Sequence, residues 1–126
     1  MGRAISRKKA LVVEDEETLR DLAAAMLEET ELEVVECASA EAAVAYLDRC
    51  APDVALIFTD VWLAGAMDGV ELARRVGKNW PWVRVVVTTG FPDDRVRQLP
   101  ANAIFMSKPW RALEILMQAE RASLRQ

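Results

Sequence analysis

The sequence predicts an α/β fold: a doubly wound, five-stranded parallel sheet with helices on both faces. Three observations carry that prediction. Short apolar runs rich in β-branched residues recur five times, each bounded by turn residues. Helical patterns lie between them, and parallel strands need such crossovers. The runs are also nearly continuous in apolar character, as strands covered on both faces are.

The strands are read at "ALVV" (10–13), "EVVEC" (33–37), "VALIFT" (54–59), "VRVVVT" (83–88) and "AIFM" (103–106). A first helix follows from Leu19, Leu22, Ala23, Met26 and Leu27, whose spacing aligns them on one face. Ala43, Leu47 and Cys50 repeat that spacing in a second helix, with Ser39 as its N-cap. Val70, Ala73, Val76 and Gly77 mark a third. A shorter, weaker helical segment is expected over 92–99, between Pro92 and Pro100. Pro109 suits the first turn of a last helix whose apolar positions are Leu113, Leu116 and Met117.

At 126 residues the chain makes one domain, read here as a basic N-terminal arm over 1–8 and a globular unit over 9–126. No apolar run reaches the ~20 residues of a membrane span, and "MGRAISRKK" lacks the apolar core of a signal peptide. A cytoplasmic protein is expected. Net charge is −4 with scattered cations, which argues against a nucleic-acid partner. Histidine is absent, so Ser-His-Asp chemistry and His-ligated zinc are excluded within the chain. Cys37 and Cys50 lack metal or redox spacing and are expected as buried free thiols.

In open α/β sheets ligands bind beyond the carboxyl ends of the strands. There the sequence offers Glu14 and Asp15 after the first strand, Asp60 after the third, Thr88 and Thr89 at the fourth, and Ser107 and Lys108 at the fifth. Glu16, Glu17 and Asp68 suit helix starts, where acids meet the positive end of the dipole. The remaining acids resist so simple a reading. Two carboxylates about 4 Å apart repel by roughly 4 kcal/mol at an effective dielectric of about 20, so a cluster of three implies a cation between them. Oxygen ligands alone favour Mg²⁺. With a carboxylate nucleophile and an ammonium for phosphate oxygens, phosphoryl chemistry at Asp60 is the natural expectation.

The ordered motifs "LVVEDE", "TDVWLAGAMDG", "VVTTG" and "FMSKPW", covering the chain from about Lys9 to Arg121, resemble the receiver domain of the bacterial response-regulator family. The resemblance implies a flavodoxin-like sheet of order 2-1-3-4-5 with five helices, switched by phosphorylation of one aspartate. By position it implies Asp60 as phosphoacceptor, Glu14 and Asp15 as the acidic pair, and the Trp62 backbone carbonyl as a further Mg²⁺ ligand. Thr88 would be the switch hydroxyl, with Thr89 the alternative, Lys108 the phosphate-binding lysine, and Phe105 the aromatic that changes rotamer. The implied partners are a sensor histidine kinase or histidine phosphotransfer protein and a downstream protein target. The chain would catalyse only its own phosphorylation and dephosphorylation.

One departure stands out. Ala64 replaces the family's usual proline, and an extra residue precedes Asp68 and Gly69, as in receivers of hybrid sensor kinases. A longer, less rigid loop is expected. Its main rival reading is a pseudo-receiver, a binding module of the same fold that is not phosphorylated. A small-ester phosphohydrolase is disfavoured because Trp62 stands where its acid/base aspartate belongs. A flavodoxin-like cofactor binder is disfavoured because "EDEE" would repel a phosphate. As only a short polar tail follows the last helix, output is expected to run through another protein.

Overall fold

The computed structural model describes residues 7–91 and 94–123. Its strands are β1 (Lys9–Val13), β2 (Glu33–Cys37), β3 (Val54–Asp60), β4 (Arg84–Thr89) and β5 (Ala103–Ser107). All pair in parallel, in the order β2-β1-β3-β4-β5. The α-helices are α1 (Glu17–Leu27), α2 (Ala40–Cys50), α3 (Gly69–Asn79) and α4 (Ala112–Ser123).

Strand alternation splits the core into two. Leu11, Val13, Ile57, Val85 and Val87 point to the side covered by α2 and α3, with Ala43, Leu47, Val70, Leu72 and Val76. Ala10, Val12, Leu56, Phe58 and Val86 point to the side covered by α1 and α4, with Ala23, Leu27, Ile115 and Ala119. Both faces are therefore buried, which is why the strands read as apolar runs.

The helix starts follow local chemistry. Glu16 caps α1, its carboxylate accepting from the amides of Thr18 and Leu19. Ser39 caps α2 through the Ala42 amide. Asp68 and Glu71 form a reciprocal capping box at α3.

The structure corrects several expectations. The segment expected as a helix over 92–99 is a 3-10 turn over Asp94–Gln98, so the α-helices number four among the described residues; Pro92 lies outside them. Short length and flanking prolines leave too few amides for an α-helical ladder. The last helix starts at Ala112, after Pro109, and turns the opposite face inward from the one expected. Ile115, Gln118, Ala119 and Ala122 are buried, whereas Leu113 is 69% exposed and Leu116 and Met117 are also on the surface. The polar Gln118 hides the true stripe in the sequence: its Oε1 accepts from Arg84 Nε at 2.6 Å beneath the helix. Leu22 of α1 is likewise exposed, and Cys50 is only partly buried, though Cys37 is buried and both thiols are free.

Of the basic arm, Arg7 donates to the backbone carbonyls of Glu31 and Leu32 and Lys8 to that of Pro52; residues 1–6 lie outside the described residues. No described helix is long and apolar enough to cross a membrane.

Candidate functional site

Strand order reverses between β1 and β3, and the acids gather beyond the carboxyl ends of those two strands. Glu14 follows β1. Its amide donates to the Cys37 carbonyl, its carboxylate accepts from the Glu16 amide at 3.1 Å, and it is 4% exposed. Asp60 ends β3, where the Val61 amide crosses to the Thr88 carbonyl of β4. Lys108, one residue beyond β5, lies with Nζ 3.3 Å from Asp60 Oδ2 and 4.0 Å from Glu14 Oε1. Its ammonium also stands 5.5 Å from the centroid of the Trp110 ring.

Glu14, Asp60 and Lys108 are thus brought together. Asp15 is more exposed; its carboxylate lies beside that of Glu14 and accepts from the Ala64 amide at 3.1 Å. Among the described residues no three acidic or thiol side chains stand as a ready-made metal cage. The donor chemistry nevertheless fits a hard divalent cation. Burial pushes the Glu14 carboxyl up to about 7, opposed by the Glu16 amide; Asp60 and Asp15 raise it further, and Lys108 lowers it. One ammonium facing two carboxylates, with Asp15 beside Glu14, leaves a local excess of negative charge that an oxygen-ligated Mg²⁺ would offset.

The threonine pair divides between the two faces of the sheet. Thr88, 1% exposed, lies beside Asp60 in register, and its Oγ1 accepts from Trp110 Nε1 at 2.7 Å. That indole packs edge-on against Phe58, so Thr88 belongs to the α1 and α4 side. Thr89, one residue on, faces the other way; its Oγ1 accepts from the Phe91 amide. Val87 pairs with Phe105 and Thr89 with Ser107, so the partly exposed Phe105 shares the face of Thr89 and not that of Thr88.

The loop between Asp60 and α3 is fixed at several points. The Gly69 amide donates to the Val61 carbonyl at 2.8 Å, and a Cβ on Gly69 would sit 1.9 Å from the Asp60 carbonyl oxygen. Only glycine allows that approach. Trp62, 53% exposed, lies 5.5 Å beneath the Arg95 guanidinium, which also pairs with Asp68 at 2.8 Å. Asp68 therefore opens a helix, as expected, and in addition ties α3 to the 3-10 turn. Beside Lys108, an apolar groove of about 420 Å³ is lined by Leu19, Leu22, Met26, Pro109 and Trp110. The spacing of Leu22 signals a core residue; in the structure it borders the site.

The family model for the response regulator receiver domain matches residues 10–120. The chain belongs to that family. This receiver, a module of bacterial two-component signalling, is 32% identical over 116 residues to the nitrogen assimilation regulatory protein NtrX of Azorhizobium caulinodans. It is 31% identical over 103 residues to the sensor kinase CckA of Brucella abortus. Those matches cover 89% and 79% of this chain but only 25% and 11% of the relatives, so the receiver spans a small part of each. The crystal structure of the NtrX receiver domain from Brucella abortus, 31% identical, superposes with a TM-score of 0.78 over 94% of this chain and 100% of that one. A receiver domain protein from Clostridium thermocellum, 22% identical, reaches 0.83 over 94% and 95% and speaks to the fold alone.

Proposed function

We propose that this receiver takes a phosphoryl group onto Asp60 from a phosphohistidine of a partner kinase or phosphotransfer protein. The observation that carries this reading is the ammonium of Lys108 at 3.3 Å from the Asp60 carboxylate, beside the buried Glu14, at the strand-order switch point. An Asp60 carboxylate oxygen attacks phosphorus in line, the phosphorus–nitrogen bond breaks, and the imidazole leaves with the electron pair. Lys108 supplies the point charge for the phosphoryl oxygens. Glu14, Asp15, Asp60 and the Trp62 carbonyl would hold Mg²⁺, whose chemistry is to neutralise charge developing on the transferred group. The apolar groove beside Lys108 supports docking of the donor protein, since an apolar surface there lies next to the acceptor.

The new dianion then selects one of two arrangements of the site. Thr88 is the hydroxyl beside Asp60, but its bond to Trp110 restrains it. Thr89 stands next to Gly90, on the face of Phe105, and we assign it the coupling role to that aromatic. Titration with beryllofluoride and Mg²⁺, followed by tryptophan fluorescence, tests the site: a saturable change in the parent, absent in Asp60→Asn, is expected. An identical change in that variant would contradict the assignment. Thr89→Val is expected to remove the accompanying change around Phe105, with Thr88→Val retaining it; the reverse pattern would return the switch to Thr88.

A further inference from the structure

We propose that Glu41, in the first turn of α2, is a positioning residue that holds the lengthened loop after Asp60 in the shape the cation site needs. The proposal rests on the reading of that site as a Mg²⁺-dependent phosphoacceptor. A single carboxylate oxygen, Glu41 Oε2, accepts from the amides of both Ala66 and Met67 at 3.1 Å. Between this clamp and Ala64 lies Gly65, with φ of +104°, a conformation that L side chains rarely adopt. An ideal Cβ there would approach Glu41 Oε1 to 3.1 Å, so the carboxylate lies directly against the turn. On the other side of Gly65, the Ala64 amide is taken by Asp15, itself one of the site's acids. The loop therefore runs from Asp60 past Trp62 to a turn whose amides end on two carboxylates, one in the site and one outside it. Without a proline to stiffen it, the loop depends on those bonds for its path. Glu41 thereby fixes both where the Trp62 carbonyl lies and which way Asp15 turns.

The test compares Glu41→Ala and Glu41→Gln with the parent. Outer residues that orient metal ligands typically change metal affinity about 10- to 100-fold, so Glu41→Ala should raise half-saturating Mg²⁺ about tenfold. The phosphorylation rate at saturating Mg²⁺ should stay within about twofold, because the acceptor and Lys108 are untouched. Glu41→Gln keeps one carbonyl oxygen able to serve both amides and should behave as the parent. Amide exchange at Ala64, Ala66 and Met67 should quicken in Glu41→Ala only. Unchanged Mg²⁺ dependence in Glu41→Ala, or a Gln variant as impaired as the Ala variant, would overturn the proposal, as would unchanged amide exchange. Faster exchange in Glu41→Ala, with a parent that takes up no Mg²⁺, would instead overturn the reading of the acidic site.

Discussion

Glu14 shows how a buried side chain ties stability to the function of the site. Its carboxyl is pushed from an ordinary 4.5 to about 7, chiefly by burial, so the folded chain holds that proton more tightly than the unfolded one. Between those values the native state binds more protons, and the free energy of unfolding falls as pH rises. Urea denaturation without divalent cations should show this decline across pH 5 to 7, within the window set by the 4.5 and 7 of Glu14. Glu14→Gln should flatten the decline; an equal slope in that variant would contradict this linkage. At Gly69 the constraint is steric. A Cβ there would lie 1.9 Å from the Asp60 carbonyl oxygen, so Gly69→Ala forces the backbone apart and should cost about 1–3 kcal/mol in the same measurement. Asp60, Glu14 and Lys108 are legible in the sequence because each follows a strand run directly. Glu41 is not, since an acid in a first helical turn looks like a dipole partner and its targets lie 25 and 26 residues on. The two threonines are ambiguous for a different reason: where β4 ends decides which of them faces Phe105, and the strand runs one residue further than its apolar pattern.

Among the elements, α3 is the most readable and α4 the least. The Asp68 and Glu71 box, the glycine after it and the buried Val70, Ala73 and Val76 all agree on one start and one face. Asp68→Ala removes a cap and the partner of Arg95 and should cost about 1 kcal/mol, most of it from the cap because the ion pair is partly exposed. In α4 two apolar stripes compete, and Gln118 on the buried one misdirects the reading. The structure predicts that Ile115→Ala costs about 2–5 kcal/mol, whereas Leu113→Ala changes stability by under about 0.5 kcal/mol. Comparable losses at both positions would mean that Leu113 is covered in solution. The 3-10 turn over Asp94–Gln98 falls where the sequence expects only a weak element, and its anchor, Arg95 over Trp62 and against Asp68, joins residues too far apart for a local pattern to reveal.

Across the whole molecule, the parallel order and the crossovers do more than enclose two cores. They carry the carboxyl ends of β1, β3, β4 and β5 to one edge, so that acids, hydroxyls and a lysine scattered from Glu14 to Lys108 meet although they come from distant parts of the sequence. That convergence is legible because alternating strands and helices admit few topologies. The exposure of Leu113, Leu116 and Met117 is not, because their helical spacing is the same as that of a core stripe. A phosphoacceptor site at these strand ends requires both its aspartate and a divalent cation. Intact mass after incubation with Mg²⁺ and a small acyl-phosphate donor, beside Asp60→Asn and a chelator control, tests it most directly. One phosphoryl adduct is expected on the parent, with none on the variant and none without the cation. An adduct that survives the substitution, or a parent that takes up no phosphoryl group, would contradict it.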